Sequence, residues 1–420
     1  MNSTEVSSTQ PSVDWPAVRA RFPVAERVVY LNTGWSGPSA RAVVEAVQRR
    51  IEREAYDGPT TLAVRHEKAL LVQEARAALA GLIGARGDEI ALLSTTTEGV
   101  NAVLNGLGLG AGDEVLTCNL EHSSVMVPCY QLRRRAGVDV TVVRSSAEEP
   151  AGELARLFEA AISPRTKLVV LSHISYNRGT RLPMERIVSA AHDAGALVLI
   201  DGAQSAGQIA LDVKALDADC YAFPAHKYLL GPDGVGALYI RPELVERIEP
   251  AAVAHGASAY YDFEGAFTPR LDAMTKFELT THSGPLLAGV VAAAALLRET
   301  GLPAIEARLL ELSTRLTAGL GRIAGVSIKS PPDPALRSAL VTFTVGDQGP
   351  NETCAALWQL RRVVGRVVND RRVRLSLAIF NDESDVDAAL EAIDHLATRG
   401  LPPDAMSAAE YKRQVLEDDD

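Results

Sequence analysis

Two stretches of sequence, ALVLIDGAQS at residues 196–205 and PAHKYLLGPDGVG at residues 224–236, decide the fold. The first begins as an unbroken apolar run and ends at Asp201, which predicts a strand covered on both faces of a sheet. The second follows another apolar run and places Lys227 directly before a glycine-rich turn. Open α/β sheets bind their ligands at the carboxyl ends of the strands. We therefore expect Asp201 and Lys227 to lie at one sheet edge and to face a shared ligand.

The segment around these stretches, from about residue 88 to residue 240, alternates between apolar runs of strand length and stretches of helix length. Seven runs predict strands: Glu89–Leu93, Glu114–Cys118, Val138–Val143, Lys167–Ser172, Ala196–Ile200, Asp219–Phe223 and Val235–Ile240. Four intervening stretches predict helices: Glu98–Leu107, Ser123–Arg135, Glu153–Ala161 and Pro183–Ala194. The alternation predicts an α/β fold with a doubly wound, mostly parallel, seven-stranded sheet.

The chain has 420 residues, which is long for a single hydrophobic core, and its texture changes after about residue 280. Long Ala/Leu-rich stretches of helical character follow, with short apolar runs between them, as expected for a smaller α+β domain. We predict an N-terminal segment at residues 1–28 that joins the small domain, and a large domain at residues 29–280. The small C-terminal domain would occupy residues 281–400, followed by a tail at residues 401–420.

Composition and charge narrow the possible function classes. Hydrophobic residues make up 47% of the chain and charged residues 23%, which is typical of a globular protein. The net charge of -11, with both signs interspersed, argues against nucleic acid or an anionic membrane as a partner. The four cysteines have no metal-binding or redox spacing, and we see no signal-peptide core or membrane-spanning run. We therefore predict a cytoplasmic protein without a metal site.

The residue types at the predicted sheet edge match the needs of one cofactor, pyridoxal 5'-phosphate (PLP). A lysine, here Lys227, has to condense with the cofactor aldehyde, which requires a partly desolvated amine that can lose its proton. A carboxylate, here Asp201, has to face the pyridine nitrogen and keep it protonated, because the protonated ring withdraws electrons from Cα. Gln204 follows the same strand and is a candidate donor to the ring hydroxyl. The sequence thus predicts a PLP enzyme that acts on an amino acid.

These motifs resemble those of the class V aminotransferase superfamily, in the branch that contains cysteine desulfurases, selenocysteine lyases, isopenicillin N epimerases and cysteine C–S lyases. The resemblance rests on Asp-Gly-Ala-Gln at residues 201–204 and on the His-Lys pair at residues 226–227 with its Gly-Pro-x-Gly-x-Gly tail. It extends from about Val29 to about Ile393. It implies PLP fold type I and a homodimer whose active sites lie at the subunit interface.

The phosphate-binding residues follow from the resemblance. Thr96 and Thr97 match the turn that binds the cofactor phosphate, and they begin a predicted helix, whose N-terminus favours an anion. The resemblance also implies that His226 hydrogen-bonds the phosphate. Thr281 matches a threonine that reaches the phosphate of the neighbouring subunit, although His282-Ser283 follows here where many relatives have Pro-Asn.

The ring-binding and substrate-binding residues also follow from the resemblance. His122 matches the histidine that stacks on the pyridine ring and relays protons, and Asn177 is the nearest counterpart of an asparagine near the ring hydroxyl. Arg374 matches the arginine that binds the substrate α-carboxylate, for which a guanidinium is suited by its paired donors. Trp35 belongs to a segment that resembles the lining at the substrate end of the cleft.

The chain departs from the cysteine desulfurases just before Arg374. Desulfurases carry a nucleophilic cysteine on a loop there, whereas residues 363–374 are short and contain none. Pro224 also replaces a serine that supplies a phosphate hydroxyl in many desulfurases. The sequence therefore predicts β-elimination, with cleavage of the C–S bond of a cysteine-derived substrate and no catalytic cysteine.

Other reactions stay open at this stage. An epimerase of the isopenicillin N epimerase type uses the same residues and needs a second acid/base on the opposite face of the substrate. An aminotransferase is a third possibility. A PLP-fold protein reused only for binding is disfavoured, because Lys227 and Asp201 are both retained.

Overall fold

The structure is a computed structural model that describes residues 13–402, except residues 147, 280 and 370, and also residues 406, 407, 409, 410 and 413. Residues 1–12 of the predicted N-terminal segment and most of the predicted tail at residues 401–420 lie outside the described residues.

The strands, in chain order, are β1 (Val29–Tyr30), β2 (Ile90–Leu93), β3 (Glu114–Cys118), β4 (Asp139–Val143), β5 (Thr166–Ser172), β6 (Leu197–Asp201), β7 (Cys220–Pro224), β8 (Gly236–Ile240), β9 (Ser258–Tyr261), β10 (Phe267–Pro269), β11 (Val326–Ile328), β12 (Leu340–Val345), β13 (Val363–Val364), β14 (Arg366–Val368) and β15 (Arg372–Ser376).

The α-helices are α1 (Trp15–Ala20), α2 (Arg41–Asp57), α3 (Leu62–Gly81), α4 (Thr96–Gly106), α5 (Ser123–Ala136), α6 (Ala151–Ala161), α7 (Met184–Asp193), α8 (Gly284–Thr300), α9 (Leu302–Leu320), α10 (Pro350–Arg361) and α11 (Glu383–Arg399).

The central feature is a seven-stranded sheet in the order β2-β8-β7-β6-β5-β3-β4. β8 runs antiparallel to β2 and β7, and the other neighbours are parallel. Every residue of β2, β3, β7 and β8 is buried, which explains why these strands read as apolar runs without alternation. The predicted α/β fold with a mostly parallel seven-stranded sheet is confirmed.

Two helices begin where strands of this sheet end, and both present their first turn at the same edge. α4 follows β2 and is capped by Thr95, whose hydroxyl accepts a hydrogen bond from the Glu98 N–H. α5 follows β3 and is capped by His122, whose ring accepts from the Ser124 N–H. Because β6 and β7 end at this edge too, Asp201 and Lys227 reach the same region as the two helix starts.

A second, antiparallel sheet has the order β11-β12-β15-β14 and packs with α9, α10 and α11. Residues of the N-terminal segment and of the stretch that follows it join this sheet. Arg19 forms an ion pair with Asp385 at 2.6 Å, β1 pairs with β13, and Asn32 bridges to Ser376. α8 instead packs against α2 and α3. This arrangement brings the stretch after β1, together with β15, to the edge of the large sheet.

No single helix among the described residues is long and apolar enough to cross a membrane. The pair α8 and α9 has the required length and composition together, but the two helices meet at a bend of 78°.

Candidate active site

A cavity of about 260 Å³ lies where the carboxyl ends of the large-sheet strands meet the stretch after β1 and the second sheet. Eight of the residues predicted from sequence line it: Trp35, Thr96, Thr97, His122, Gln204, His226, Lys227 and Arg374. A larger cavity of about 400 Å³ lies beside α1 and the junction of α8 and α9, and it contains none of the predicted residues. The sheet-edge cavity is therefore the candidate active site.

Lys227 and Asp201 form the centre of this site. Lys227 lies in the loop after β7, and burial lowers the pKa of its amine to about 8, against the opposing influence of Asp201. Asp201 is buried at the end of β6 and accepts hydrogen bonds from the Ala203 N–H at 2.8 Å and the Ser124 hydroxyl at 3.4 Å. Burial raises the pKa of the Asp201 carboxyl, while these donors and Lys227 act in the other direction. Asp201 itself does not line the cavity, but the two residues that donate hydrogen bonds to it, Ser124 and Ala203, do.

His122 is held in place by its own helix. Its Nδ1 accepts a hydrogen bond from the Ser124 N–H at 3.2 Å and lies 3.0 Å from the Ser124 hydroxyl. Its ring meets the Tyr176 ring edge to face, with 4.8 Å between the centroids. Burial of the ring, followed by the positive charge of Lys227, lowers the pKa of His122 to about 4. The imidazole is therefore neutral near pH 7, with its proton on Nε2 because Nδ1 is an acceptor.

One end of the cavity has the properties of a phosphate site. The N-terminus of α4 directs N–H groups and its positive dipole end toward an anion. Thr96 is buried, and its hydroxyl has no hydrogen-bond partner among the described residues. His226 lines the same cavity, with Nδ1 3.5 Å from the Asp233 carboxylate, and Pro224 lines it as well.

The opposite end is built around Arg374, which is only 2% exposed. Its Nη1 donates to the Tyr176 carbonyl at 2.8 Å, while Nε and Nη2 have no partner among the described residues. Burial lowers the pKa of the guanidinium to about 10, so it is still charged at neutral pH. A buried cation with two open, coplanar donors is the arrangement that a carboxylate fits bidentately.

Gly34 allows this end to close tightly. Its carbonyl accepts a hydrogen bond from the Gln204 Nε2 at 2.8 Å, and the Gln204 Oε1 has no partner among the described residues. A Cβ at position 34 would lie 2.9 Å from the Ser376 hydroxyl, 3.0 Å from the Gln204 Oε1 and 3.1 Å from Arg374 Nη2. Only glycine lets these three side chains converge without displacement.

Besides Asp201, two further predicted residues, Asn177 and Thr281, lie outside the cavity lining. Asn177 is buried, its amide oxygen has no partner among the described residues, and its carbonyl accepts from the Thr342 hydroxyl. Thr281 is exposed beside a different cavity, together with Ser94 and His282. The role predicted for Thr281 concerns the neighbouring subunit, so it stays a prediction.

The lining residues that sequence reasoning missed include Ser124, Tyr176 and Arg366. Ser124 could have been found as the residue two places after His122 in the first helical turn. Tyr176 stands next to Asn177 and could have been considered with it. Arg366 is a lone charge in the apolar run Val363–Val368, which is itself a signal of a polar function.

The residues at the site fit PLP. Lys227 supplies an amine of lowered pKa for the aldehyde, and Asp201 supplies a buried carboxylate for the pyridine nitrogen. The unpartnered Thr96 hydroxyl and the start of α4 suit the phosphate, and the unpartnered donors of Arg374 suit a substrate carboxylate. Among the described residues, no group of three or more His, Cys, Asp or Glu side chains could hold a metal ion.

Comparison with known proteins decides the family. The sequence profile described as aminotransferase class-V matches residues 29–389. The chain belongs to the aminotransferase class-V family. The family uses PLP, so the predicted family, fold, cofactor and enzyme class are confirmed at the level of the family.

Individual relatives of this class-V chain have different reactions in their names. A probable cysteine desulfurase of Methanothermobacter thermautotrophicus is 33% identical over 401 residues, covering 91% of this chain and 98% of the relative. The isopenicillin N epimerase of Streptomyces clavuligerus is 31% identical over 401 residues, with the same coverage of 91% and 98%.

Solved structures of C-DES share the fold. A C-DES variant with glycine covalently linked to its PLP cofactor has a TM-score of 0.84 at 28% identity, covering 92% of this chain and 99% of that chain. A complex in which C-DES is called a cystine C–S lyase, with its product cysteine persulfide, has a TM-score of 0.83 at 28% identity and covers 89% and 99%.

Proposed function

We propose that this class-V enzyme acts on a cysteine-derived amino acid and cleaves its C–S bond by β-elimination, without a catalytic cysteine. The products would be pyruvate, ammonia and a thiol, with one water consumed. The relatives named cysteine desulfurase and the cystine C–S lyase C-DES support a cysteine-like substrate.

The observation that carries the proposal is the tight connection before Arg374. β14 and β15 form an antiparallel hairpin in which Val368 pairs with Arg372, so only three residues join the two strands. The sequence between Arg366 and Arg374 contains no cysteine. A reaction that needs only a leaving group on Cβ suits such a site better than one that needs a protein thiolate.

The four cysteines of the chain support the same view. Cys118, Cys129, Cys220 and Cys354 are all buried, and none lines the cavity. Burial raises the pKa of Cys129 to about 12 and the pKa of Cys118 and Cys220 well above the usual value. These groups are therefore thiols at neutral pH and poor nucleophiles.

The chain's own residues have distinct tasks in such a reaction. Bound PLP supplies an electron sink for negative charge at Cα. Arg374 would hold the α-carboxylate and so fix which bond at Cα lies perpendicular to the cofactor. The Lys227 amine, with its pKa of about 8, is poised to remove the Cα proton near neutral pH. His122 would donate the proton on Nε2 to the leaving sulfur, since Nδ1 accepts a hydrogen bond from the Ser124 N–H.

Epimerisation is the second candidate. It is supported by the 31% identity to an isopenicillin N epimerase and by the presence of two acid/base groups, Lys227 and His122, in one cavity. Transamination uses the same residues.

The deciding experiment incubates the purified holoenzyme with cysteine S-conjugates in D₂O. Elimination predicts pyruvate and thiol in equal amounts. Deuterium at Cα with inverted configuration and no pyruvate would replace the proposal by epimerisation, and conversion of the bound cofactor to its amine form would replace it by transamination. Lys227→Ala serves as the control for background release of thiol.

Homodimerisation and a cytoplasmic location also belong to this proposal. An assembly of two chains is supported by the exposed position of Thr281 and by the exposed aromatic side chains of the β9–β10 hairpin, among them Tyr260, Phe263 and Phe267. A solution mass of one chain for the active protein would contradict the dimer.

A further inference from the structure

One buried amide joins the turn at residues 201–208 to the second sheet. Gln208 is only 1% exposed, and both ends of its side-chain amide are hydrogen-bonded. Its Nε2 donates to the Gln204 carbonyl at 2.6 Å, and its Oε1 accepts from the Ala339 N–H at 2.8 Å. A buried amide whose donor and acceptor sides are both bonded is held in one orientation. Gln208 thus spans the boundary between two parts of the fold.

The turn on one side of this link belongs to the cofactor end. It begins at Asp201 and brings Gln204 into the cavity lining. Gly207 lets the turn pack against the backbone just after Lys227. A Cβ at position 207 would lie 2.6 Å from the Tyr228 carbonyl oxygen, and the φ of +86° also requires glycine. The turn is therefore fixed closely against the loop that carries the reactive amine.

The residue on the other side of the link belongs to the substrate end. Ala339 directly precedes β12, and its carbonyl accepts a hydrogen bond at 3.0 Å from the N–H of Leu377, which directly follows β15. Within the same strand pair Thr342 lies opposite Arg374. Because β12 and β15 are hydrogen-bonded neighbours, a displacement of Ala339 would also displace the strand that carries Arg374.

The two ends have to be aligned for any reaction at Cα. Lys227, which would remove the Cα proton, follows a strand of the large sheet, whereas Arg374, which would hold the α-carboxylate, lies on the second sheet. A base has to lie within hydrogen-bond reach of the proton, and a misplacement of about 1 Å can slow a reaction roughly a hundredfold. A rigid link across the boundary is suited to setting this alignment.

We infer that Gln208 is a positioning residue, whose amide fixes the place at which Arg374 presents the substrate Cα to Lys227. Gln208 does not line the cavity, so it acts only through the two segments that it joins. The inference rests on the proposed action at this site, but only on its first step. Removal of the Cα proton is common to elimination, epimerisation and transamination.

The test compares two substitutions of Gln208 with one control. Gln208→Met keeps the length of the side chain and removes both hydrogen bonds. Gln208→Asn keeps the amide on a side chain that is shorter by one methylene, so it reaches one partner at most. Thr300→Val is the control, because it removes a buried hydrogen bond, to the Leu296 carbonyl in α8, outside the active-site cavity.

Norleucine is the probe, because it carries no leaving group on Cβ. Its dissociation constant is taken from the absorbance change of the holoenzyme, and its rate of Cα deuteration at saturation is measured in D₂O by mass spectrometry. In Gln208→Met this rate should fall roughly tenfold to a hundredfold, while the dissociation constant stays within about twofold of the wild type. Gln208→Asn should lie between the two, and Thr300→Val should match the wild type.

A second measurement does not depend on turnover. In Gln208→Met the Ala339 N–H loses its acceptor, so hydrogen exchange in peptides that contain Ala339 should become faster in the holoenzyme without substrate. Peptides from α8 should not change. Thermal unfolding of each variant shows that the fold persists, and if Gln208→Met does not fold, Gln208→Asn carries the same comparison.

Two results would overturn the inference. A rise of the norleucine dissociation constant as large as the loss of rate would place Gln208 in substrate binding. Equal slowing of deuteration in Gln208→Met and Thr300→Val would reduce its role to general stability.

The outcome for the lyase can be told apart from the outcome for Gln208. Slow deuteration in Gln208→Met, with no pyruvate released from cysteine S-conjugates by the wild type, would reject the lyase and retain the role of Gln208. Pyruvate release by the wild type, with unchanged deuteration in Gln208→Met, would do the reverse. A wild type that shows neither deuteration nor pyruvate would reject both.

Discussion

The two ends of the cavity are built in different ways. At the cofactor end, Thr96, His122, Asp201 and Lys227 lie within a few residues of the ends of β2, β3, β6 and β7, four strands of one sheet. At the substrate end, Trp35 comes from the stretch after β1, and Arg366 and Arg374 come from a separate sheet.

The difference teaches which part of the site can vary. The cofactor end is fixed by the course of the main sheet, so changing it would disturb the core. The substrate end depends on short strand pairings, such as β1 with β13 and β14 with β15, and on single side chains placed on them. Substitutions at the two ends should therefore have separable effects.

The largest effect should come from Lys227→Ala at the cofactor end. Loss of the amine removes both the covalent anchor and the base, and turnover should fall by at least about 10²- to 10⁴-fold, the usual contribution of a positioned base. Borohydride treatment followed by mass spectrometry should find the cofactor on residue 227 in the wild type and on no residue in the variant. Lys214→Ala, at a half-exposed lysine outside the cavity, is the control. Covalent trapping in Lys227→Ala would refute the assignment.

Arg374→Ala should act on the substrate end alone. Without the guanidinium the α-carboxylate loses its charge-assisted hydrogen bonds, and KM should rise roughly tenfold to a hundredfold. The visible spectrum of the bound cofactor should be unchanged, because the residues at the cofactor end keep their contacts. A variant that loses the cofactor spectrum would show that the two ends are not separable.

Glu121→Gln should have the smallest effect on turnover, although Glu121 lies directly behind the cofactor end. Its carboxylate is buried and accepts hydrogen bonds from the Ser172 N–H at 2.8 Å and the Ser172 hydroxyl at 2.5 Å, and Ser172 pairs with Asp201 across the sheet. Burial raises the pKa of Glu121 to about 7. Protonated Glu121 therefore contributes to the stability of the fold. This contribution is fully present below the pKa that Glu121 has in the unfolded chain, and it is lost as the pH rises through about 7.

The measurement is the free energy of unfolding of wild type and Glu121→Gln at a series of pH values. The wild type should lose stability relative to the variant between about pH 4.5 and pH 7, by on the order of 1 to 3 kcal/mol. A constant difference across this range would mean that Glu121 is ionised throughout and that its pKa is not raised.

Part of the cofactor end follows from local signals in the sequence, whereas Thr96, Thr97, His122 and His226 were assigned through the resemblance to a family. Apolar runs revealed the strands, and Asp201 and Lys227 stand immediately beyond two of them. The hydrogen bonds from Ser124 to Asp201 and to the His122 ring depend on how α5 is placed against β6, which no local pattern encodes.

The substrate end was predicted less completely for the same physical reason. Arg374 and Trp35 were found only through the resemblance to a family. The place of Arg366 in the cavity depends on its stacking on Trp35, which is distant in the sequence, and on the strand pairing that sets it opposite Arg374. Thr281 depends on a second chain, so one sequence and one chain cannot place it at a site.

The short turn between Val368 and Arg372 has a consequence for how new activities could arise in this scaffold. It is the one connection between the two arginines of the substrate end, and the cofactor contacts come from other parts of the chain. An insertion there could bring a new reactive group to the substrate while the residues at the cofactor end stayed in place. The turn is thus a natural point of divergence, where a few added residues would alter the chemistry and leave the rest of the catalyst intact.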